Sequence, residues 1–124
     1  TDVRPYYGAA DALFLPTLYD PFPNVIFEAM ACQLPVITST HCGAQDMIRS
    51  GEEGFICDPL DISAMEIAVD KLQDPEFRQE AGKRARHRIA PYTTKTMADC
   101  LSRLYARLLD PATAHPRPTI EKRS

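Results

Sequence analysis

Short, nearly unbroken apolar runs alternate along this chain with stretches whose apolar residues recur every three or four positions. Ala12-Leu13-Phe14-Leu15, Pro35-Val36-Ile37-Thr38 and Gly54-Phe55-Ile56-Cys57 are the runs, and their length and continuity predict strands buried on both faces of a parallel sheet. Between the first two runs the spacing predicts a helix over residues 24–33. Between the second and third it predicts a shorter one over 44–49, stopped near Gly51. A further helix over residues 3–10 is expected ahead of the first strand. Strands alternating with helices in this order describe a layered α/β domain with right-handed crossovers.

Beyond the third strand the pattern becomes purely helical. Asp61 is placed as an N-cap, and Ile62, Met65, Val69 and Leu72 follow it at helical spacing. Asp74-Pro75-Glu76 then restarts a helix with a cap, a first-turn proline and an early acid, and its stripe is Phe77, Ala81, Ala85 and Ile89. Pro91 breaks that helix. A last one is predicted over residues 94–109, with Met97, Leu101, Leu104 and Leu108 on one face. Residues 110–124 hold three prolines and no apolar period, so a mobile tail is expected there. Three strands are few for so many helices, and upstream strands of a larger sheet are expected to be missing. The chain also starts Thr1-Asp2-Val3 without an initiator Met, from which a piece of a longer polypeptide or a processed product is expected.

Composition narrows the function classes. With 124 residues, 44% hydrophobic and 25% charged, the chain has the make-up of an ordinary globular domain. Its longest uncharged apolar runs fall far short of the roughly 20 residues of a membrane span. Cys32, Cys42, Cys57 and Cys100 have 9, 14 and 42 residues between them, a spacing that suits buried, reduced thiols in a cytoplasmic protein better than a zinc site. The net charge of -3 conceals an asymmetry. Residues 1–70 hold 11 acids against Arg4 and Arg49, whereas residues 71–124 hold 12 bases against 6 acids. Arg78, Lys83, Arg84, Arg86 and Arg88 cluster on one predicted helix, but Glu76 and Glu80 share it and no aromatic residues interleave for base stacking. That favours a solvated helix face over nucleic-acid binding, and leaves room for peripheral contact with an anionic membrane. His41, His87 and His115 are scattered and assemble no catalytic set with a Ser or Cys.

The candidate chemistry lies in Tyr19-Asp20-Pro21-Phe22-Pro23-Asn24-Val25-Ile26-Phe27-Glu28-Ala29-Met30-Ala31, where Asp20 and Glu28 are separated by seven residues. Ligands of open parallel sheets bind outside the carboxyl ends of the strands, and this turn follows the first strand directly. Free amides at Asn24, Val25 and Ile26 would suit a phosphate at a helix N-terminus, with Pro23 setting the entry angle of the loop. Glu28, among apolar neighbours, would be costly to bury without partners, which the hydroxyls of a diol such as a ribose would supply. Asp20, on the loop, would reach hydroxyls beyond the phosphates. The same residues also read as an ordinary turn Asp and a solvated helix Glu.

This stretch, together with Tyr7-Gly8-Ala9-Ala10-Asp11-Ala12-Leu13-Phe14-Leu15-Pro16, Cys42-Gly43 and Ile48-Arg49-Ser50-Gly51-Glu52-Glu53-Gly54-Phe55, resembles the E-x7-E region of retaining glycosyltransferases of the two-Rossmann GT-B fold, especially family 4. The resemblance covers residues 3–109, and the segment over residues 38–43 is similar to bacterial lipopolysaccharide-core glucosyltransferases. It implies a partial Rossmann-like parallel sheet with flanking helices, the C-terminal half of a GT-B donor domain, over residues 1–109. It also implies a donor that is a nucleotide-diphosphate sugar, a UDP- or GDP-hexose. Glu28 would hold the ribose hydroxyls. The backbone of Phe22, Pro23, Asn24 and Val25 would approach the diphosphate and the sugar, and Asp20, in the place of the first Glu, would act catalytically beside the reacting carbon.

The chain departs from that pattern in two places. Asp20 is one methylene shorter than Glu, and Pro23 stands where the family usually has Gly, which bears on reach and on sugar choice. The resemblance further implies that an Arg and a Lys upstream stabilise the leaving group, and that the glycan or lipid-linked acceptor binds mostly on a missing N-terminal domain. This chain alone is therefore expected to be inactive, and no cofactor or metal is called for. Two alternatives stay open: a non-catalytic interaction or oligomerisation module, and a sugar-nucleotide epimerase of the same fold.

Overall fold

The computed structural model describes residues 2–109; the tail expected over residues 110–124 lies outside them. Helix α1 (Arg4–Ala9) precedes strand β1 (Leu13–Leu15), helix α2 (Asn24–Ala31), strand β2 (Val36–Ser39), strand β3 (Gly54–Cys57), and helices α3 (Ile62–Gln73), α4 (Pro75–Ile89) and α5 (Thr94–Leu109). The three strands form one parallel sheet in the order β1-β2-β3. Leu13, Phe14 and Leu15 lie beside Val36, Ile37 and Thr38, and those beside Gly54, Phe55 and Ile56. The expectation of burial on both faces holds for the central strand, every residue of which is buried, but not for the outer ones. Strand β3 is buried only at its ends, and Phe14 of β1 is exposed because among the described residues no further strand or helix covers that edge.

Two cores lie against the sheet, because successive residues of β2 point to opposite faces. On the Val36 side, Ile26, Ala29 and Met30 of α2 pack with Ala85 and Ile89 of α4. Ile37, on the other side, joins Cys57 with Ala68 and Leu72 of α3, and Phe77 tilts against Phe55 with ring centroids 5.9 Å apart. The stripe of α4 is buried as its spacing predicts. Gly82 lets α4 approach the end of α2, since a Cβ there would fall 2.0 Å from the Gln33 carbonyl oxygen.

Caps placed from sequence are present. Asp61 accepts from the Ala64 N–H at 2.9 Å, and Asp74 from the Glu76 N–H at 3.0 Å. Two further expectations need correction. The helix expected over residues 44–49 is a single 3-10 turn, Gln45–Met47. Ala44 and Ile48 on either side of it are sunk in the core, which holds the segment as a tight connector. On α3 the core face is Ala68 and Leu72, with Ala64 and Met65 beside them. Ile62 and Val69 are instead exposed and line a groove with Phe14 and Met65. The helical period holds, but the apolar arc is wider than the face the sheet covers.

The end of α2 shows how a polar residue can do a glycine's work. Leu34 N–H donates to the Ala29 carbonyl and Gln33 N–H to the Met30 carbonyl, at 3.0 and 3.1 Å, the paired bonds of a Schellman turn. That turn puts Gln33 at φ 63°, a left-handed conformation costing a non-glycine residue roughly 1–2 kcal/mol. Gln33→Gly is therefore expected to raise the unfolding free energy by up to about 1 kcal/mol, after the entropy cost of glycine is deducted. Urea denaturation checks this, and an unchanged midpoint would mean that the turn is unstrained.

Residues up to Ala90 form one compact unit, and α5 belongs to a second. Helix α5 carries its apolar stripe as expected, with Met97, Leu101, Leu104 and Leu108 exposed. Among the described residues no helix is long and apolar enough to cross a membrane.

The basic residues of α4 act largely within the fold. Arg78 donates to the Leu72 carbonyl and meets Asp11 at 3.4 Å, Arg86 donates to the Ala31 carbonyl and Arg88 to the Asp46 carbonyl. Lys83 and Arg84 both pair with Glu80 on their own helix. Three arginines of the basic second half are thus spent on contacts within the compact unit, one of them with an acid of the first half.

Candidate functional site

At the carboxyl end of β1 the chain leaves the sheet and crosses to α2 through residues 16–23. Side chains of the neighbouring strand hold this crossing in place. Thr38 Oγ1 donates to the Leu15 carbonyl at 3.1 Å, and Ser39 Oγ donates to the Thr17 carbonyl at 2.5 Å. Both side chains are buried, and these bonds satisfy hydroxyls that would otherwise be costly to bury.

Asp20 is fixed through its backbone. Its N–H donates to the His41 carbonyl at 3.4 Å and its carbonyl accepts from the Gly43 N–H at 2.9 Å, so Asp20 and Cys42 form an isolated parallel bridge. Its carboxylate Oδ1 accepts from the Phe22 N–H at 3.1 Å, an Asx turn of the kind Asp favours. The second oxygen remains available at an open groove that Leu18, Tyr19, Pro21, His41 and Gly43 also line.

Phe22 and Pro23 carry the loop into α2. Phe22 is exposed and tilts against Phe27 with centroids 4.9 Å apart, while Pro23 is buried as the N-cap residue. No side chain caps this helix. Proline has no N–H to offer, and the amides of Asn24 and Val25 open the first turn toward the carboxyl rim of the sheet. Such an end favours an anion through its unpaired donors and the helix dipole. Ile26 N–H, the third candidate amide, donates to the Pro23 carbonyl at 3.3 Å and is already in use.

Glu28 takes the second of the two settings open to it, a solvated helix position and not a buried one among apolar neighbours. It is an exposed residue of α2, because Ile26, Ala29 and Met30 take the core face and the helical period turns position 28 outward. Its Oε2 accepts from the Tyr7 hydroxyl at 2.7 Å. The two residues are thus held by different elements, the Asp20 backbone by the loop after β2 and its carboxylate by its own turn, the Glu28 carboxylate by α1, and Glu28 lies outside the groove around Asp20.

Sequence reasoning did not single out Tyr7, Thr38, Ser39 or Gly43 for the site. Tyr7 lies 21 positions from Glu28, beyond any local pattern. The hydrogen bond to Glu28 is the largest cause that pushes the Tyr7 phenol up to about 12, followed by desolvation and by the Glu28 charge. A raised folded-state value means that the native state holds its proton through the window from about 10 to about 12, where an unfolded tyrosine has lost it. Stability from this bond is complete below about pH 10 and is lost as pH rises through about 12. A phenolate absorbance titration should therefore show a late phase near pH 12 that disappears in Tyr7→Phe; a curve that this substitution leaves unchanged would contradict the bond.

Among the described residues no three His, Cys, Asp or Glu side chains come together as a metal-binding group. Of the four cysteines expected to be buried, Cys42 and Cys57 are, whereas Cys32 at the end of α2 and Cys100 on α5 are exposed. The Cys57 thiol is pushed up by burial first and by the Asp61 charge second, which favours an inert thiol over a reactive one.

The family described as Glycosyl transferases group 1 matches residues 1–88. A glycogen synthase from Mycobacterium tuberculosis is 34% identical over 107 residues, which cover 85% of this chain and 26% of that protein. The structure of a sucrose-phosphate synthase from Thermosynechococcus elongatus is 35% identical with a TM-score of 0.78, over 86% of this chain and 27% of the other. Anabaena HepE, solved in complex with UDP-glucose, shares the fold with a TM-score of 0.76 at 22% identity, over 86% and 30% of the two chains. The chain thus spans about a quarter of the length of the curated relatives it matches.

Proposed function

The chain belongs to the glycosyl transferases group 1 family, and from that premise we propose that it forms the donor-binding part of a longer retaining glycosyltransferase. That enzyme moves a hexose from a nucleotide-diphosphate sugar to a glycan or a lipid-linked acceptor. The observation that carries the reading is the uncapped N-terminus of α2, set at the carboxyl rim of a parallel sheet by a loop that also presents Asp20. The UDP-glucose complex of Anabaena HepE, which has the same fold, supports a UDP-hexose among the candidate donors.

In this reading the amides of Asn24 and Val25 face the diphosphate, and the backbone of Phe22 and Pro23 shapes its approach. Glu28, exposed on α2, accepts from the ribose hydroxyls. Asp20 offers its second oxygen to a hydroxyl of the sugar close to the reacting carbon. The acceptor attacks from the face the diphosphate leaves, so charge builds on the leaving phosphate and must be stabilised electrostatically. Residues 1–70 contribute only Arg4 and Arg49 as cations. This part of the site therefore acts through backbone donors, and cationic stabilisation comes from elsewhere in the enzyme. A cytoplasmic location, with peripheral contact at the inner membrane face, would bring the enzyme to a lipid-linked acceptor.

The test is a titration with UDP, UDP-glucose, GDP and GDP-mannose, following amide shifts over residues 20–28 and 41–43. We expect saturable shifts confined to those segments, strongest for one nucleotide. A folded spectrum that stays silent, with no binding by the longer enzyme either, would overturn the donor reading. One observation favours a second reading, in which the chain is an association module: among the described residues β1 pairs with β2 alone, and Phe14, Ile62, Met65 and Val69 line a groove beside it that Glu66 and Asp70 also border. Shifts over β1 and α3 that grow with protein concentration, without nucleotide, would favour that reading.

A further inference from the structure

We propose that Tyr7 is a positioning residue for the ribose of the donor, holding the Glu28 carboxylate in the one orientation that accepts from both ribose hydroxyls. The inference rests on the ribose role given to Glu28 above.

Glu28 is exposed, and a free glutamate on a helix surface samples several rotamers that ligand binding would have to freeze. Tyr7 removes that freedom in advance. Its hydroxyl donates to Oε2 at 2.7 Å, within the short range of charge-assisted bonds. Its ring packs against the core cluster that contains Ile26 and Met30, so the donor is anchored on a rigid side chain with two torsions.

The hydrogen-bond count favours tyrosine for this task. An ionised carboxylate offers about four lone-pair sites; one is taken by Tyr7, and those left are enough for the two hydroxyls of a cis-diol. A phenol has a single proton to give, so it orients the carboxylate and leaves its charge intact. Lys or Arg in the same place would compete with the ligand for the remaining lone pairs. Tyr7 also keeps its own oxygen lone pairs free to accept from one of the same hydroxyls.

The test compares UDP with 2′-deoxy-UDP, and GDP with 2′-deoxy-GDP, by calorimetry on the longer enzyme and its Tyr7→Phe and Glu28→Gln variants. Wild type is expected to prefer the ribonucleotide by about tenfold or more. Glu28→Gln should abolish that preference. Tyr7→Phe should reduce it to about threefold, with affinity for the deoxynucleotide, which keeps only the 3′-hydroxyl, falling less than that for the ribonucleotide. If Glu28→Gln abolishes the preference while Tyr7→Phe leaves it whole, the positioning role is overturned and the ribose role of Glu28 stands. Equal losses for both sugars in Tyr7→Phe would likewise overturn it, pointing to packing alone. A preference untouched by Glu28→Gln, or no nucleotide binding in wild type, would remove the ribose reading and this inference with it.

Discussion

Gly43→Ala should lower transferase turnover by about 100-fold in the longer enzyme while leaving a folded protein. A Cβ at Gly43 would sit 1.7 Å from the Pro21 carbonyl oxygen and 2.7 Å from its carbonyl carbon. Both contacts are with backbone, so relief requires the loop to move by roughly an ångström or more, and no side-chain rotation can provide it. Gly43 also donates its N–H to the Asp20 carbonyl at 2.9 Å, which couples that movement directly to Asp20. A misplacement of about 1 Å at a reacting centre costs on the order of 100-fold, whereas overpacking an edge loop costs about 1–3 kcal/mol of stability. Gly8→Ala is the matched control, since beyond its chain neighbours and its own helix backbone nothing lies within 4 Å of its added methyl, and it should leave turnover unchanged. Wild-type turnover in a folded Gly43→Ala variant would show that the loop position does not matter to the chemistry.

Glu28→Gln should weaken donor binding by about 1–3 kcal/mol, the range for a hydrogen bond to a charged group. The substitution keeps size and shape, and position 28 is exposed on α2, so stability should change by no more than about 0.5 kcal/mol. The separation of the two effects makes the experiment informative. A carboxylate kept for packing or capping would show itself in the melting temperature, whereas one kept for a ligand shows itself in affinity. Tyr7 remains able to donate to the amide oxygen of the substituted side chain, so the loss measures charge and acceptor strength more than displacement. Unchanged donor affinity, measured by calorimetry, would remove Glu28 from the ribose site.

Local chemistry in the sequence reached a long way into this protein. Continuous apolar runs marked three strands, though only the central one is covered on both faces, since Phe14 of β1 is exposed and β3 is partly buried. Asp61 and Asp74 marked helix starts because short carboxylates satisfy first-turn amides nearby. The spacing of Asp20 and Glu28 around a proline-bearing turn pointed to the rim where the loop lies, since all those residues belong to one continuous crossing from strand to helix.

What tertiary structure alone decided involves partners far apart in the chain. Tyr7 meets Glu28, Ser39 reaches Thr17, and Gly43 closes on Asp20, pairings that no window of helical or strand period can contain. The exposed setting of Glu28 and the open apolar edge of α3 have the same origin. Periodicity tells which residues could share a face, but the face that becomes core depends on the surface that the sheet and α4 present to it. Burial is a property of two surfaces, and a local sequence pattern describes only one of them.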